Sequence, residues 1–363
     1  MKERAYNFNP GPAVLPEDVL NAVVANTLNF EETGIGLFEM SHRGKAFDQV
    51  IAETTASFSE LLGLGDDYSV IYATGGATNQ FSMVPLNLLP ADKTANYILT
   101  GVWAKKASEE AKKFGKVHIA ATSAENKFKN IPTELDITDD AAYCHFTSNN
   151  TIYGTEYKSE PEVGNIPLIC DASSDFLSRP LDIKKYALIY AGAQKNLGPA
   201  GLTVVIIRKD MLERAEHTAP ANTPIMLNYK TYADSNSLYN TPPVFAIYVV
   251  HEVLKWIKNS GGIQKIYENN VAKAKLIYNV IDEDDFYNGH SVPEDRSLMN
   301  ITFRLPNEEL EKKFVEESTA NGLIGLKGHR SVGGLRASIY NAFPLSGAEA
   351  LAQFMREFRK NNG

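Results

Sequence analysis

Between residues 69 and 207 short apolar runs alternate with stretches of helical periodicity, and this alternation restricts the fold more than any other feature of the chain. The runs 69–73, 97–99, 166–170, 187–191 and 202–207 read as buried strands, too short for helices and bounded by polar or glycine-rich segments. Strands separated by helix-length connections predict parallel βαβ units, hence an α/β fold with one mostly parallel sheet and helices on both of its faces. With 363 residues, 44% of them apolar, the chain can bury such a core and still form a second unit.

A single amine stands where two of these strands meet. Lys195 lies in Gly192-Ala193-Gln194-Lys195-Asn196-Leu197-Gly198, the connection between the runs 187–191 and 202–207. An ammonium in apolar surroundings is poorly solvated, its pKa falls, and the neutral amine can attack an aldehyde carbon. The same residue could equally be a surface lysine on a hairpin turn. Asp171 closes the run 166–170. A strand-end carboxylate followed one element later by a lysine matches what pyridoxal phosphate takes from a protein: an amine to carry it and an acid that keeps its pyridine nitrogen protonated. Alone, Asp171 could instead cap the turn Ala172-Ser173-Ser174.

Two further segments fit the same cofactor. The run 69–73 leads into Thr74-Gly75-Gly76-Ala77-Thr78-Asn79, where glycines admit close approach of an anion and the free N–H groups of a helix start face it. Trp103, just after the run 97–99, offers a flat face to a pyridine ring, although core packing is the usual role of a tryptophan.

Taken with Asn7-Phe8-Asn9-Pro10-Gly11-Pro12, Ser41-His42-Arg43-Gly44-Lys45, Tyr239-Asn240-Thr241-Pro242-Pro243 and the stretch 328–338, these segments resemble the phosphoserine aminotransferase family of fold-type-I pyridoxal-phosphate transferases over nearly the whole chain. The resemblance implies Lys195 as the cofactor lysine with Gln194 beside it, Asp171 at the pyridine nitrogen, Trp103 on the ring and Thr151 at the phenolic oxygen. Ala77 and Thr78 would hold the cofactor phosphate, joined by Asn240 and Thr241 from the second subunit of a homodimer. Arg336 would grip the substrate α-carboxylate, and His42, Arg43, His329 and Arg330 would form the distal anion site. Some members of the family carry arginine where this chain has Thr78, which removes one cation from the expected site. The implied reaction moves the amino group of glutamate to 3-phosphohydroxypyruvate, in serine biosynthesis; the one-carbon-longer substrate pair of pyridoxine biosynthesis is not distinguished from it. A small-amino-acid:glyoxylate aminotransferase, a cysteine desulfurase and a catalytically silent scaffold of the same fold remain the alternatives.

The formal charge of −8 argues against nucleic-acid and anionic-membrane partners, so anionic substrates must be caught by local cationic clusters. Cys144 and Cys170 sit in apolar runs without metal-ligand spacing, which predicts buried free thiols, a reducing compartment and no metal site. The first residues lack the apolar core of a signal peptide, and the apolar stretch 244–257 is interrupted by His251, Glu252 and Lys255, so the expected location is the cytoplasm. Gly261-Gly262 marks the expected boundary between a large cofactor-binding domain, 16–262, and a small α+β domain made of 1–15 and 263–363. In the latter, 298–303 and 335–340 alternate like half-exposed strands, and 307–321 and 346–360 look helical.

Overall fold

The computed structural model describes residues 4–363. Its strands, in chain order, are β1 (Tyr6–Asn7), β2 (Tyr68–Thr74), β3 (Thr94–Leu99), β4 (Lys116–Thr122), β5 (Ala141–Thr147), β6 (Leu168–Asp171), β7 (Leu188–Gly192), β8 (Leu202–Arg208), β9 (Asn288–Gly289), β10 (Asn300–Arg304), β11 (Leu323–Ile324) and β12 (Leu335–Ser338). One large sheet runs β2-β8-β7-β6-β5-β3-β4. Its strands are parallel except β8, which is antiparallel to both neighbours. The expectation of parallel units up to residue 207 fails there for a steric reason. The connection 193–201 that carries Lys195 is too short for a crossover and can close only an antiparallel pair.

Alternation of side chains explains why the strands read as continuous apolar runs. In β7, Leu188 and Tyr190 enter the core on one face while Ile189 enters the core on the other. Both faces are covered, so every position is buried. Helices Glu17–Asn26, Lys45–Leu62 and Val244–Asn259 pack on one side, and Thr78–Leu88, Val102–Ala111 and Lys209–Thr218 on the other.

A third core gathers Phe8 with Phe303, Phe314 and Met355 around the antiparallel sheet β12-β10-β9, and β1 pairs with β11 beside it. Helices Glu308–Ala320, started by the Asn307 side chain, and Leu345–Asn362 flank this core. Strand β12 departs from the half-exposed expectation, since all four of its residues are buried. Arg336 and Ser338 face inward because they have partners there: Arg336 Nη1 donates to the Thr151 carbonyl at 3.1 Å, and Ser338 Oγ accepts from Asn300 Nδ2 at 2.9 Å. Gly261 and Gly262, with φ of 97° and 79°, make a turn into the helix Gly262–Ile281 that favours glycine. That helix serves both units. Ile263 and Ile266 join a core of the large sheet, whereas Ala274, Ile277, Val280 and Ile281 join the third core.

Because β2, β3, β5, β6 and β7 point the same way, the loops after their C-terminal ends converge on one edge of the sheet, where α/β proteins place ligands. Ile169 on β6 is fully buried two residues before Asp171. We expect Ile169→Ala to lower the unfolding free energy by about 2–5 kcal/mol, read from the urea transition; a loss within about 0.5 kcal/mol, typical of a surface position, would show that β6 does not anchor the core.

Candidate active site

The converging loops enclose a cavity lined by Gly76, Ala77, Thr78, Trp103, Thr147, Thr151, Asp171, Ser173, Gln194 and Lys195. Lys195 is half-buried as a residue, but its amine is walled in and donates to Thr151 Oγ1 at 2.6 Å. Burial lowers its pKa to about 8, with Asp171 pulling it upward and Arg336 pushing it further down. The loop is fixed from two sides. Ala193 N donates to the Leu202 carbonyl at 2.9 Å, and the N-terminal arm crosses above, Ala13 N donating to the Gln194 carbonyl at 2.9 Å. At Gly11, φ is 135° and an added Cβ would lie 3.3 Å from Lys195 Cγ, so the arm passes here only as glycine.

Asp171 is buried at the end of β6. Its Oδ1 accepts from Ser173 N at 3.0 Å and from Ser173 Oγ at 2.6 Å, and Ser173 Oγ in turn accepts from Gly192 N at 3.1 Å. The carboxylate thus caps the following turn with one oxygen, as one of the two sequence readings expects, and it also lines the cavity. Burial raises its pKa, opposed by Ser173 and by Lys195. A buried acid of this kind is suited to a partner that brings its own proton and positive charge.

Thr151 sits at the junction of two interactions, its hydroxyl meeting Lys195 and its carbonyl meeting Arg336. The turn that carries it is organised by Asn150, whose Oδ1 accepts from Ile152 N at 3.1 Å and Tyr153 N at 3.2 Å, while its Nδ2 donates to the Thr100 carbonyl. Trp103 opens the helix Val102–Ala111 half-buried; its Nε1 is buried without a partner among the described residues, and Lys106 Nζ lies 4.9 Å from its ring centroid. On the opposite rim the chain leaves β2 through Gly75, with φ of 104°, and starts the helix Thr78–Leu88. Asn79 N and Gln80 N donate to the Gly76 and Ala77 carbonyls at 3.0 and 2.9 Å, which tightens this first turn, and Gly76, Ala77 and Thr78 line the cavity.

The remaining expected residues lie outside this cavity. His329 and Arg330 line a larger cleft of about 620 Å³ beside it, together with Arg304. Arg336 and His329 border a narrow gap toward that cleft, and Arg336 Nε is buried with no partner among the described residues. Burial, then the charges of Arg336, Arg330 and Lys106, lower the His329 pKa. Arg43 is exposed and its Nε contacts His42 Nε2 at 3.3 Å, while Asn240 and Thr241 are exposed ahead of the helix Val244–Asn259. None of these four lines the cavity in a single chain. Sequence reasoning missed Ser173, Lys106 and the arm at Gly11. The Asp-Ala-Ser step was the available signal for the first, the lysine one turn after Trp103 for the second, and Pro-Gly-Pro for the third.

The aminotransferase class-V family model matches residues 5–351. A phosphoserine aminotransferase of Desulfosudis oleivorans is 54% identical, over 100% of both chains. Among solved structures, phosphoserine aminotransferase from Bacillus circulans subsp. alkalophilus superposes with a TM-score of 0.97 at 51% identity, covering 100% of each chain. A phosphoserine aminotransferase from Trichomonas vaginalis, described as PLP bound, has a TM-score of 0.90 at 39% identity over 97% of this chain and 100% of the other. The chain belongs to the class-V aminotransferases and, within them, to the phosphoserine aminotransferase family.

A pKa of about 8 for Lys195 has a signed consequence. Below it the amine is protonated and inert to acylating reagents; above it the amine is free. In cofactor-free protein, labelling of Lys195 followed by mass spectrometry should therefore rise with a midpoint near pH 8, well below that of ordinary lysines. Arg336→Ala should move the midpoint up and Asp171→Ala should move it down. A midpoint near that of surface lysines would show that the amine is not desolvated.

Proposed function

We propose that this chain transfers the amino group of glutamate to 3-phosphohydroxypyruvate, giving 2-oxoglutarate and O-phosphoserine, with pyridoxal phosphate carried on Lys195. One observation carries the reading: a buried amine of lowered pKa shares a cavity with the buried Asp171, a short step from the buried, unpartnered Nε of Arg336. When bound, the cofactor supplies an electron sink for negative charge developing on the substrate carbon.

The chain's residues would do the rest. Asp171 would hold a proton on the pyridine nitrogen, Thr151 would offer its hydroxyl to the phenolic oxygen, and Ala77 and Thr78 would hold the phosphate, with Gln194 beside the lysine. Trp103 would stack on the ring and exclude water. Lys195 Nζ would take the proton from the substrate Cα and give it to the cofactor carbon that is to bear the amino group; a pKa of about 8 lets the same amine serve as base and acid near neutral pH. Arg336 presents a rigid fork to the α-carboxylate shared by every substrate. His329 and Arg330 serve the distal anion; burial first, and then the crowding of positive charge, lower the His329 pKa, and the crowding is relieved when that anion binds.

His42, Arg43, Asn240 and Thr241 reach a site only across a dimer. Supporting this, exposed Phe38 stacks on Phe245 at 4.8 Å, joining the segment before His42 to the helix start after Thr241, and exposed Leu28 and Val24 extend the apolar surface nearby in sequence. We read the protein as a homodimer with shared sites, and its two buried free thiols as fitting a reducing, cytoplasmic setting. A desulfurase is disfavoured, since burial pushes the Cys144 thiol up to about 12 and holds the Cys170 thiol well above its ordinary value, inside strands β5 and β6.

Single-turnover kinetics of the two half-reactions test the division of labour. Arg330→Ala or Arg43→Ala should slow the phosphorylated half-reaction selectively, because a charge-assisted partner of the phosphate is lost. Arg336→Ala should cost both half-reactions about 2–5 kcal/mol. Equal losses for every arginine variant would reduce the site to a generic anion binder. Lys195→Ala should abolish the visible absorption of the purified protein, and assays with the one-carbon-longer keto-acid phosphate in parallel would rank the two substrates. Sedimentation should show a dimer at micromolar concentration; a fully active monomer would refute the shared site.

A further inference from the structure

Lys273 is almost fully buried in the helix Gly262–Ile281. Its amine donates to three successive carbonyls, those of Ile339 at 3.1 Å, Tyr340 at 2.7 Å and Asn341 at 3.4 Å. No carboxylate pairs with it among the described residues, and burial lowers its pKa to about 7. A buried ammonium is expensive, and an apolar side chain would fill the space at lower cost. An apolar side chain cannot fix three consecutive carbonyls. One turn earlier, Asn270 Nδ2 donates to Asn341 Oδ1 at 2.9 Å and to the Ser178 carbonyl at 3.1 Å.

The segment held this way follows directly on β12, which carries Arg336. It also reaches the lysine loop: Asn341 N donates to Oδ1 of Asn196, the neighbour of Lys195, at 3.0 Å, and Asn196 Nδ2 donates to the Ser174 carbonyl at 3.1 Å. Asn341 Nδ2 further donates to the carbonyls of Phe176 at 3.4 Å and Leu177 at 3.2 Å. Leu177 has a φ of 56°, a left-handed conformation that a branched apolar side chain adopts only under constraint.

We propose that Asn341, seated by Lys273 and Asn270, is the positioning residue that sets Arg336 on one core against Lys195 on the other. The inference rests on the functional reading above, in which Arg336 holds the α-carboxylate while Lys195 moves the Cα proton. A misplacement of about 1 Å between such groups can slow a reaction by about a hundredfold. The network spans the two units at the point where substrate must bridge them, and it touches neither reacting group itself.

A double-mutant cycle of Asn341→Ala with Arg336→Ala, on the cofactor-loaded protein, reads the coupling through kcat/KM for glutamate. Asn341→Ala alone should lower it by about tenfold or more, and should add less than about a twofold further loss once Arg336 is gone. Multiplying losses overturn the proposal. If Asn341→Ala does not fold, Lys273→Met enters the same cycle with the same expectation. Hydrogen exchange separates this failure from that of the functional reading, because it needs no turnover. Asn341→Ala, or Lys273→Met in its place, should speed exchange of amides 335–338 and 194–197 while the large sheet stays protected. Unchanged exchange in those two segments overturns the positioning role even in an active enzyme. Altered exchange in a protein inactive toward glutamate would instead sustain it and condemn the substrate assignment.

Discussion

The structure depends on keeping one amine out of water. Lys195 sits on the antiparallel connection between β7 and β8 of the large sheet, and the shortness of that connection denies it the freedom of a surface loop. Desolvation makes the neutral amine accessible near neutral pH, and the same burial raises the proton affinity of Asp171. Each group partly offsets the other's cost. With Thr151 taking the amine's hydrogen bond and Ser173 binding Asp171, the pair is stabilised without being neutralised into inertness.

How much of this was legible in the sequence depended on whether the signal was local. The runs around Ile71, Ile169, Ile189 and Val205 announced buried strands, because both faces of the sheet are covered and no polar alternation interrupts them. Asp171 ends a strand, and Lys195, Trp103 and the Gly75-Gly76 turn follow soon after strands, so the strand pattern carried them to one edge. The reversed direction of β8 was available in the connection length alone and was overlooked. The burial of β12 was not legible, since Arg336 and Ser338 look like solvent-facing positions until Thr151 and Asn300, distant in sequence, supply their partners. The separation of His42, Arg43, Asn240 and Thr241 from the cavity of their own chain likewise has no local signature.

Interplay between the units follows from the same geometry. Lys195 lies on a connection of the large sheet, and Arg336 lies on a strand of the smaller one. On the proposed reading a substrate is held across the seam between them. The seam is closed by the arm through Gly11 on one side and by polar contacts on the other, where Tyr340 Oη donates to the Pro10 carbonyl at 2.8 Å and Asn341 meets Asn196. Hydrogen bonds suit this role better than apolar packing. Their directionality fixes register, whereas a greasy contact would tolerate sliding.

A chain of net charge −8 that binds dianionic substrates must separate its cations from its acids locally. Away from the site, basic side chains are largely occupied: Arg296 pairs with Asp282, and Arg356 and Arg359 share Glu283. Lys106, His329, Arg330 and Arg336 form no such pair among the described residues, although their charges act on one another. Their mutual repulsion is a standing cost of the free protein. On the proposed reading an incoming anion would remove that cost in addition to making its own contacts, so the site would gain affinity from the carboxylates it lacks. The absence of an arginine at Thr78 is tolerable on this view, because Lys106, set above Trp103 on the facing rim, adds positive charge to the His329 cluster from a different element.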